Sequence, residues 1–575
     1  MSGPLSATGS VTPQPPGRTP HKAPQAPLRC PGGEDPHPEA SEAPAERPRG
    51  RQADEHRHVL AVDLGTSALK VALVSVAGQV VAAEEEAHQV QLLPGGGAEQ
   101  DPEGWWAMIT GVSSRLMARG VVPPDAVAAV CCTAQWSGTV PVDGDGRPVR
   151  NAIIWMDSRG APYARRITSG PVRLSGYGAD KLARWIRKTA GIPSHSGKDP
   201  LAHILWLKHE EPGAYRAASM FLEPKDWLNL RLTGEAAASF DSIALHWVTD
   251  NRRPGQIHYD PALLRLAGVA GSKLPGLRAA TDILGPLLPG PAAELGVPAD
   301  LPVVVGAPDL HSAAIGSGAT RDFQAHLYVG TSSWLTCHVP FKRTDVLRNI
   351  AALPSAIPGR YLVADEQETA GAALTFLRDR VLFDGAPPPG AYRELDRMAA
   401  SAPPGSHGVI FTPWLYGERT PVEDHCMRGG FHNLSLSITR EDLVRAVFEG
   451  VALNTRWLLA AVERFTRQRL DPIRFIGGGA RSGPWCQIFA DVLGRTIEPV
   501  ADPVNANARG AGILAAVALG ELTFDEVPDR VTVSASYRPD PRTAGLYAML
   551  YDEFVGLYRR NHKAHARLNG PGGPA

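Results

Sequence analysis

"AVDLGTSALKV", Ala61–Val71, opens as a buried β-strand and then breaks that pattern. Val59, Leu60, Ala61 and Val62 are apolar, yet the run ends on Asp63 and is followed by Gly65, Thr66 and Ser67. Gly-Thr-Ser after a strand predicts a hairpin-like turn that offers backbone N–H groups and hydroxyls to a phosphate, glycine letting the backbone come close. Taken alone, it reads equally well as an ordinary turn with a capping aspartate. The same outline returns as "LYVGTSSWL", Leu327–Leu335, and between the two copies a third apolar strand ends on Asp309. The pair predicts a duplicated, two-lobed architecture whose facing loops hold the phosphates of one nucleotide from both sides. Asp63 then lies beside those phosphates, and its charge implies an intervening Mg²⁺, held through water.

Working outward, short apolar runs alternate with longer helical patterns, which makes this an α/β protein. "VLAVD", "AVAAVCCTA", "AIIW", "PVVVGAPD", "HLYVGTSS", "GVIFTPW" and "IRFIGGG" read as strands. "PEGWWAMITGVSSRLMARG" and "EDLVRAVFEGVALNTRWLLAAVERF" read as amphipathic helices, with Asp101 as N-cap of the first and Leu443, Val447 and Val451 on one face of the second. Residues 1–57 are rich in Pro, Gly, Glu, Arg and His and hold too little apolar surface to offset ordering entropy, so a disordered tail is expected there. The terminus, 563–575, reads as frayed.

Lys+Arg 58 against Asp+Glu 59 gives a net charge of −1, which excludes a nucleic-acid or membrane-surface protein driven by bulk charge. Six cysteines are scattered without a CxxC pair, so a disulfide scaffold or zinc site is not expected. No apolar run reaches the roughly 18 residues of a membrane helix, and the first residues lack a signal peptide's order. A cytoplasmic protein is the expectation.

Two further segments carry chemistry. In "FIGGGARSGPW", Phe475–Trp485, Gly478, Gly479 and Ala480 present a flat surface for an adenine ring or ribose, or form a plain turn. In "VVVGAPDLHSAAIGSGA", Asp309 stands at a strand-to-helix junction, where a partly desolvated carboxylate accepts the proton of an attacking hydroxyl, or caps the helix.

The set resembles the FGGY carbohydrate kinases of the actin/hexokinase ATPase superfamily over Val59–Leu557. "DLGTSALK" and "VGTSS" look like the two phosphate motifs, "IIWMDSR" the sugar-side segment, "GAPDLHSAAIG" the catalytic-aspartate motif and "IGGGARS" the adenosine motif. "LEPKDWLNLRLTGE" is similar to the xylulokinase stretch, and "WLYGERTP" is a family hallmark. "GGFHNLSLSITREDLVRAVFE" matches the second signature except at Asn433, where glycine is expected; asparagine also tolerates left-handed angles. The resemblance implies two RNase H-like lobes around a central cleft, a sugar-binding N-terminal lobe (58–316) and an ATP-binding C-terminal lobe (317–562). It implies Asp309 as general base, Asp63 for Mg²⁺, Gly65, Thr66, Ser67, Gly330, Thr331 and Ser332 at the phosphates, and Gly478, Gly479 and Ala480 at the adenosine.

The sugar pattern diverges. Where xylulokinases read Gln-Met-His-Gly, this chain has Gln135, Trp136, Ser137 and Gly138, and Leu310 replaces the Asn after the catalytic aspartate. Gln135, Trp136, Ser137, Asp157 and Asp309 are the expected acceptor contacts. The expected activity is ATP-dependent phosphorylation of a ketopentose such as D-xylulose. Open alternatives are another polyol or aldonic acid (gluconate, ribulose, a small alcohol) and a non-catalytic sugar or nucleotide sensor. The expected partner is a small molecule, with no nucleic acid and no membrane; a homodimer stays open.

Overall fold

The structure is a computed structural model, and it describes residues 56–383 and 385–570. Nearly all of the expected 1–57 tail lies outside the described residues; Arg57, at its end, pairs with Glu521. The strands are β1 His58–Leu64, β2 Ala68–Ser75, β3 Val80–Ala87, β4 Val127–Ala134, β5 Ile283–Pro286, β6 Pro302–Val304, β7 Ala325–Val329, β8 Ser333–Val339, β9 Thr344–Asp345, β10 Ile350–Pro354, β11 Tyr361–Gln367, β12 Ile473–Ile476 and β13 Ile497–Pro499. The helices that bear on the site are α1 Pro102–Ala118, α2 Pro224–Thr233, α3 Asp309–Gly316, α4 Arg440–Thr466, α5 Gly483–Leu493, α6 Ala506–Ala518 and α7 Ala544–Asn569.

Two sheets repeat one plan. The first runs β5-β6-β4-β1-β2-β3 and the second β9-β10-β11-β8-β7-β12-β13. In each, an antiparallel meander (β1-β2-β3; β7-β8-β11) gains parallel strands beside its first member (β4 and β6; β12 and β13). The Gly-Thr-Ser stretches are the first turns of the two meanders, so the echo in the sequence is a structural duplication.

Helix α1 starts where Asp101 accepts from the Glu103 N–H at 3.1 Å, and buries Trp105, Ile109, Val112 and Leu116 on one face against Leu60, Val62 and Val71. Helix α4 opens on a capping box between Thr439 and Asp442 and buries Val447 and Val451 in the second core. Asn433 adopts φ 63°, the left-handed backbone that its replacement of glycine demands. "AIIW" forms only a two-residue strand, Ala152–Ile153. The terminus is more ordered than expected: α7 stays helical to Asn569, whose Nδ2 donates to Cys426 O at 2.9 Å, correcting the frayed reading for 563–569.

A third core joins the two sheets. Val59, Ala61, Ala72 and Val74 of the first meet Ile476 and Val500 of the second through Ala313 and Ile315 of α3 and Ala511, Ile513 and Leu514 of α6. Helix α6 comes from the C-terminal half yet packs on β1, β2 and β4. Its small-residue composition permits this, because two helices between two sheets must lie backbone to backbone. No helix among the described residues is long and apolar enough to cross a membrane.

Candidate active site

The two hairpin turns differ in length by one residue, four between Leu64 and Leu69 and three between Val329 and Ser333. Gly65 N–H donates to Ala68 O at 3.1 Å, and Gly330 N–H to Ser332 O at 2.9 Å. Ser67 and Thr331 stand exposed at the tips. A Cβ on Gly330 would sit 2.1 Å from the Tyr328 hydroxyl, so glycine alone fits beneath that ring. A cavity of about 800 Å³ is lined by Asp63, Gly65, Thr66 and Ser67 from the first turn, Asp309 between, and Thr331 and Ser332 from the second. The predicted phosphate loops and both predicted aspartates therefore meet in one cleft, though Gly330 itself is not part of its lining.

Asp63 ends β1 and lies across the β1–β2 ladder from Lys70. Burial raises its pKa, while the Lys70 charge and a hydrogen bond from Asn507 on α6 pull it back down. Its Oδ1 is buried with no hydrogen-bond partner. An orphaned, partly stabilised carboxylate oxygen in a cleft fits a hard cation that arrives with phosphate ligands of its own. Asp309 opens α3, and its Oδ1 accepts its neighbour's N–H, from Leu310, at 2.7 Å. Burial, and then the Asp63 charge, push its pKa up to about 7. A carboxylate so placed exchanges a proton near neutrality, as a general base must.

The expected acceptor residues separate into two groups. Trp136 and Ser137 line the cavity. Trp136 Nε1 donates to Ser242 O at 2.9 Å, and its ring stands edge-on to His311 with centroids 5.0 Å apart. Ser137, at φ 69°, donates through Oγ to Lys198 O at 2.8 Å. Gln135 and Asp157 are buried and engaged elsewhere. Gln135 Oε1 accepts from Thr66 Oγ1 at 3.1 Å, and its Nε2 donates to Gln100 Oε1 at 2.7 Å. Gln100 Nε2 returns to Thr66 O at 2.9 Å. This ring of bonds, with Trp155 Nε1 on Thr66 Oγ1 at 2.8 Å, fixes the first phosphate loop. Asp157 accepts from Ala98 N–H at 2.9 Å and from Arg159 N–H and Nε at 2.9 and 2.8 Å. Its oxygens are occupied by that arginine and the backbone, which is how a carboxylate only 1% exposed remains paired.

The "LEPKDWLN" stretch acts from behind. Lys225 Nζ and Asn229 Nδ2 donate to Val305 O at 3.0 and 2.7 Å, four residues before Asp309. Glu223 Oε2 accepts from Gly138 N–H at 2.8 Å, next to Ser137. Asp226 Oδ2 accepts from Ser242 Oγ at 3.2 Å, and Ser242 O in turn holds Trp136. One buried helix start thus holds both the turn before Asp309 and the loop of Trp136 and Ser137.

Sequence reasoning assigned no role to a charged group on the far wall. Arg419, within "GERTP", donates through Nε and Nη2 to Glu368 Oε1 at 3.0 and 2.8 Å and pairs with Glu366. Lys198 lies over the Trp155 ring at 5.9 Å, and burial lowers its pKa. All four charges line the cavity. The signals for them were the run "ADEQE" at a strand end and the "GERTP" segment that holds Arg419; Lys198 and Asn507 sit in unremarkable sequence. Gly478, Gly479 and Ala480 form a short turn, Gly478–Arg481, outside the main cavity. Arg481 lines a separate hollow of about 360 Å³ with Arg378, Tyr392 and Arg393.

Comparison with known proteins identifies the family and the fold. Residues 58–316 match the N-terminal domain and residues 325–519 the C-terminal domain of the FGGY family of carbohydrate kinases. A xylulose kinase of Staphylococcus epidermidis is 28% identical over 525 residues, 89% of this chain and 98% of that protein. A gluconokinase of Bacillus subtilis is 25% identical over 511 residues, 87% of this chain and 96% of that protein. The fold also matches the crystal structure of ligand-bound xylulose kinase from Lactobacillus acidophilus, with TM-score 0.79 at 22% identity, covering 89% of this chain and 99% of that one. Matched in both domains over most of its length, the chain belongs to the FGGY family of carbohydrate kinases and is a sugar kinase.

Proposed function

We propose that this kinase transfers the γ-phosphoryl group of ATP to a hydroxyl of a ketopentose or related polyol, with Asp309 as general base. The observation that carries the reading is the place of Asp309, at the start of α3 in one cavity with both Gly-Thr-Ser turns, where burial and the Asp63 charge push its pKa up. The acceptor hydroxyl gives its proton to Asp309 as its oxygen bonds to phosphorus and the bond to the β-phosphate oxygen breaks. The turns offer backbone N–H groups to the phosphates, since the Thr66 hydroxyl proton is already committed to Gln135. Asp63, with Asn507 and Lys70 beside it, would hold Mg²⁺, which neutralises phosphate charge when bound. Gly478, Gly479 and Ala480 lie beside the Arg481 hollow, which suits the adenosine end. Trp136, Ser137 and Lys198 face the acceptor.

An aldonic acid is the second reading. The gluconokinase relative and the Lys198 ammonium at the acceptor wall favour it. ADP release across ketoses, alditols, aldonic acids and small alcohols separates the two. Stimulation by at least one acceptor is expected; silence across the panel would move the protein to the sensor class. Asp63→Asn is expected to weaken use of Mg-ATP on the order of 10- to 100-fold while calorimetric acceptor binding without nucleotide stays within about twofold. Equal losses in both titrations would remove Asp63 from the cation site.

A further inference from the structure

Past Trp136, the lining of the catalytic cavity changes character. Leu182, Ile186, Ile192, Leu245, Val346 and Ile350 face the same space as Asp309. They come from three separate pieces of chain: the helix Ala179–Thr189 with the loop after it, the turn Ser242–His246, and a strap of the second lobe around 342–350. The strap is tied onto the helix. Lys342 Nζ donates to Ile186 O at 2.6 Å and Arg187 O at 3.1 Å, and Thr344 Oγ1 donates to Ala190 O at 2.6 Å. These bonds hold the strap, with Val346, against the end of the helix that carries Ile186.

The arm is the open edge of a hydrophobic cluster. Trp136, Ile192, Leu245 and Ala351 pack against buried Ala190 and Trp247 but are themselves only half-buried. All six line the cavity, so the uncovered apolar surface is what a ligand meets. The arm is also continuous with the chemistry: Trp136 stands against His311, two residues after Asp309. The charged wall of Lys198, Glu366, Glu368 and Arg419 supplies hydrogen-bond partners for hydroxyls. The aliphatic side chains supply none, and hydroxyls packed against them would lose water without replacement, while Ser194, Ser196, Thr344, Asp345 and Asn349 of the same loop and strap add polar groups elsewhere in the lining.

We propose that the acceptor is amphiphilic, with a hydroxylated end presented to Asp309 beside the charged wall and an apolar group of several carbons seated in this arm. The proposal rests on the phosphoryl-transfer reading above and narrows its acceptor. The test uses the full chain with Mg-ATP and follows kcat/KM for 1-O-alkyl ethers of glycerol and xylitol, from the bare polyol to the hexyl ether, beside unsubstituted ketoses and aldonic acids. A rise of about fourfold per methylene is expected until the arm is filled. In Ile192→Asn the ratio of hexyl ether to bare polyol should fall toward one, with Leu245→Ser as the second variant should the first not fold. A series that is flat or falls with chain length, or activity confined to unsubstituted ketoses or aldonic acids, overturns the amphiphilic acceptor and leaves phosphoryl transfer standing. No turnover with any acceptor overturns the transfer reading and this one with it.

Discussion

Asp309→Asn is expected to lower kcat by on the order of 10²–10⁴-fold and, at the same time, to make the protein more stable at pH 8. The amide keeps the shape at the start of α3 but cannot accept the acceptor's proton. The stability gain follows from the pKa of about 7, against a usual 3.8. A carboxylate whose folded pKa is raised holds a proton that the unfolded chain has already released. Ionising it therefore disfavours the fold progressively from about pH 4, and in full above about pH 7. Asp309 is only half-buried at the open cleft, so water screens part of this cost, and an amide in its place should recover about 1–2 kcal/mol. Melting curves at pH 8 and pH 5 test this, because the advantage should shrink as pH falls. The wild-type kcat/KM profile should rise with pH through an acid limb, and Asp63→Asn, by removing the neighbouring negative charge, should move that limb to lower pH. Near-normal turnover in Asp309→Asn would end its assignment as the base.

The duplication was legible because Gly-Thr-Ser ends a β-hairpin in both halves, and turn chemistry is local. Asp63 and Asp309 were legible for a related reason: a charged residue after an apolar run is conspicuous wherever the chain goes next, although the strand before Asp309 stops at Val304 and Asp309 itself opens α3. The partners of those aspartates were not. Asn507 reaches Asp63 only because α6 crosses from the C-terminal half onto the first sheet, a placement that no periodicity records. Asp157 shows the opposite limit. "WMDSR" offers a carboxylate beside the sugar loop, but Arg159 two residues on folds back upon it, and Asp157 is buried against the half-buried guanidinium. Gln135 likewise stands beside the acceptor in sequence and spends its amide on Thr66 and Gln100. Lys198 and Ile192 lie in a loop with no motif, and only the strap from the second lobe gives them a shared cavity.

Gly510→Ala should show how closely the catalytic residue depends on the crossing of α3 and α6. A Cβ at Gly510 would lie 1.9 Å from Ser312 O and 2.6 Å from its carbonyl carbon, and one at Gly316 would lie 1.8 Å from Ala506 O. These are backbone atoms of the facing helix, so no side chain can rotate away; the helices must separate. Overpacking of this kind costs about 1–3 kcal/mol, and at a backbone contact the upper end or beyond is expected. Gly545→Ala is the control, since its Cβ would meet nothing within 4 Å and helix propensity alone should leave it neutral or slightly stabilised. The activity loss should exceed the stability loss. Asp309 is the first residue of α3, and a displacement of about 1 Å at a reacting group can cost on the order of 10²-fold in rate. Assays well below the variant's melting temperature separate the two effects. A Gly510→Ala protein that melts with the wild type and turns over at its rate would show that α3 is not held by this crossing.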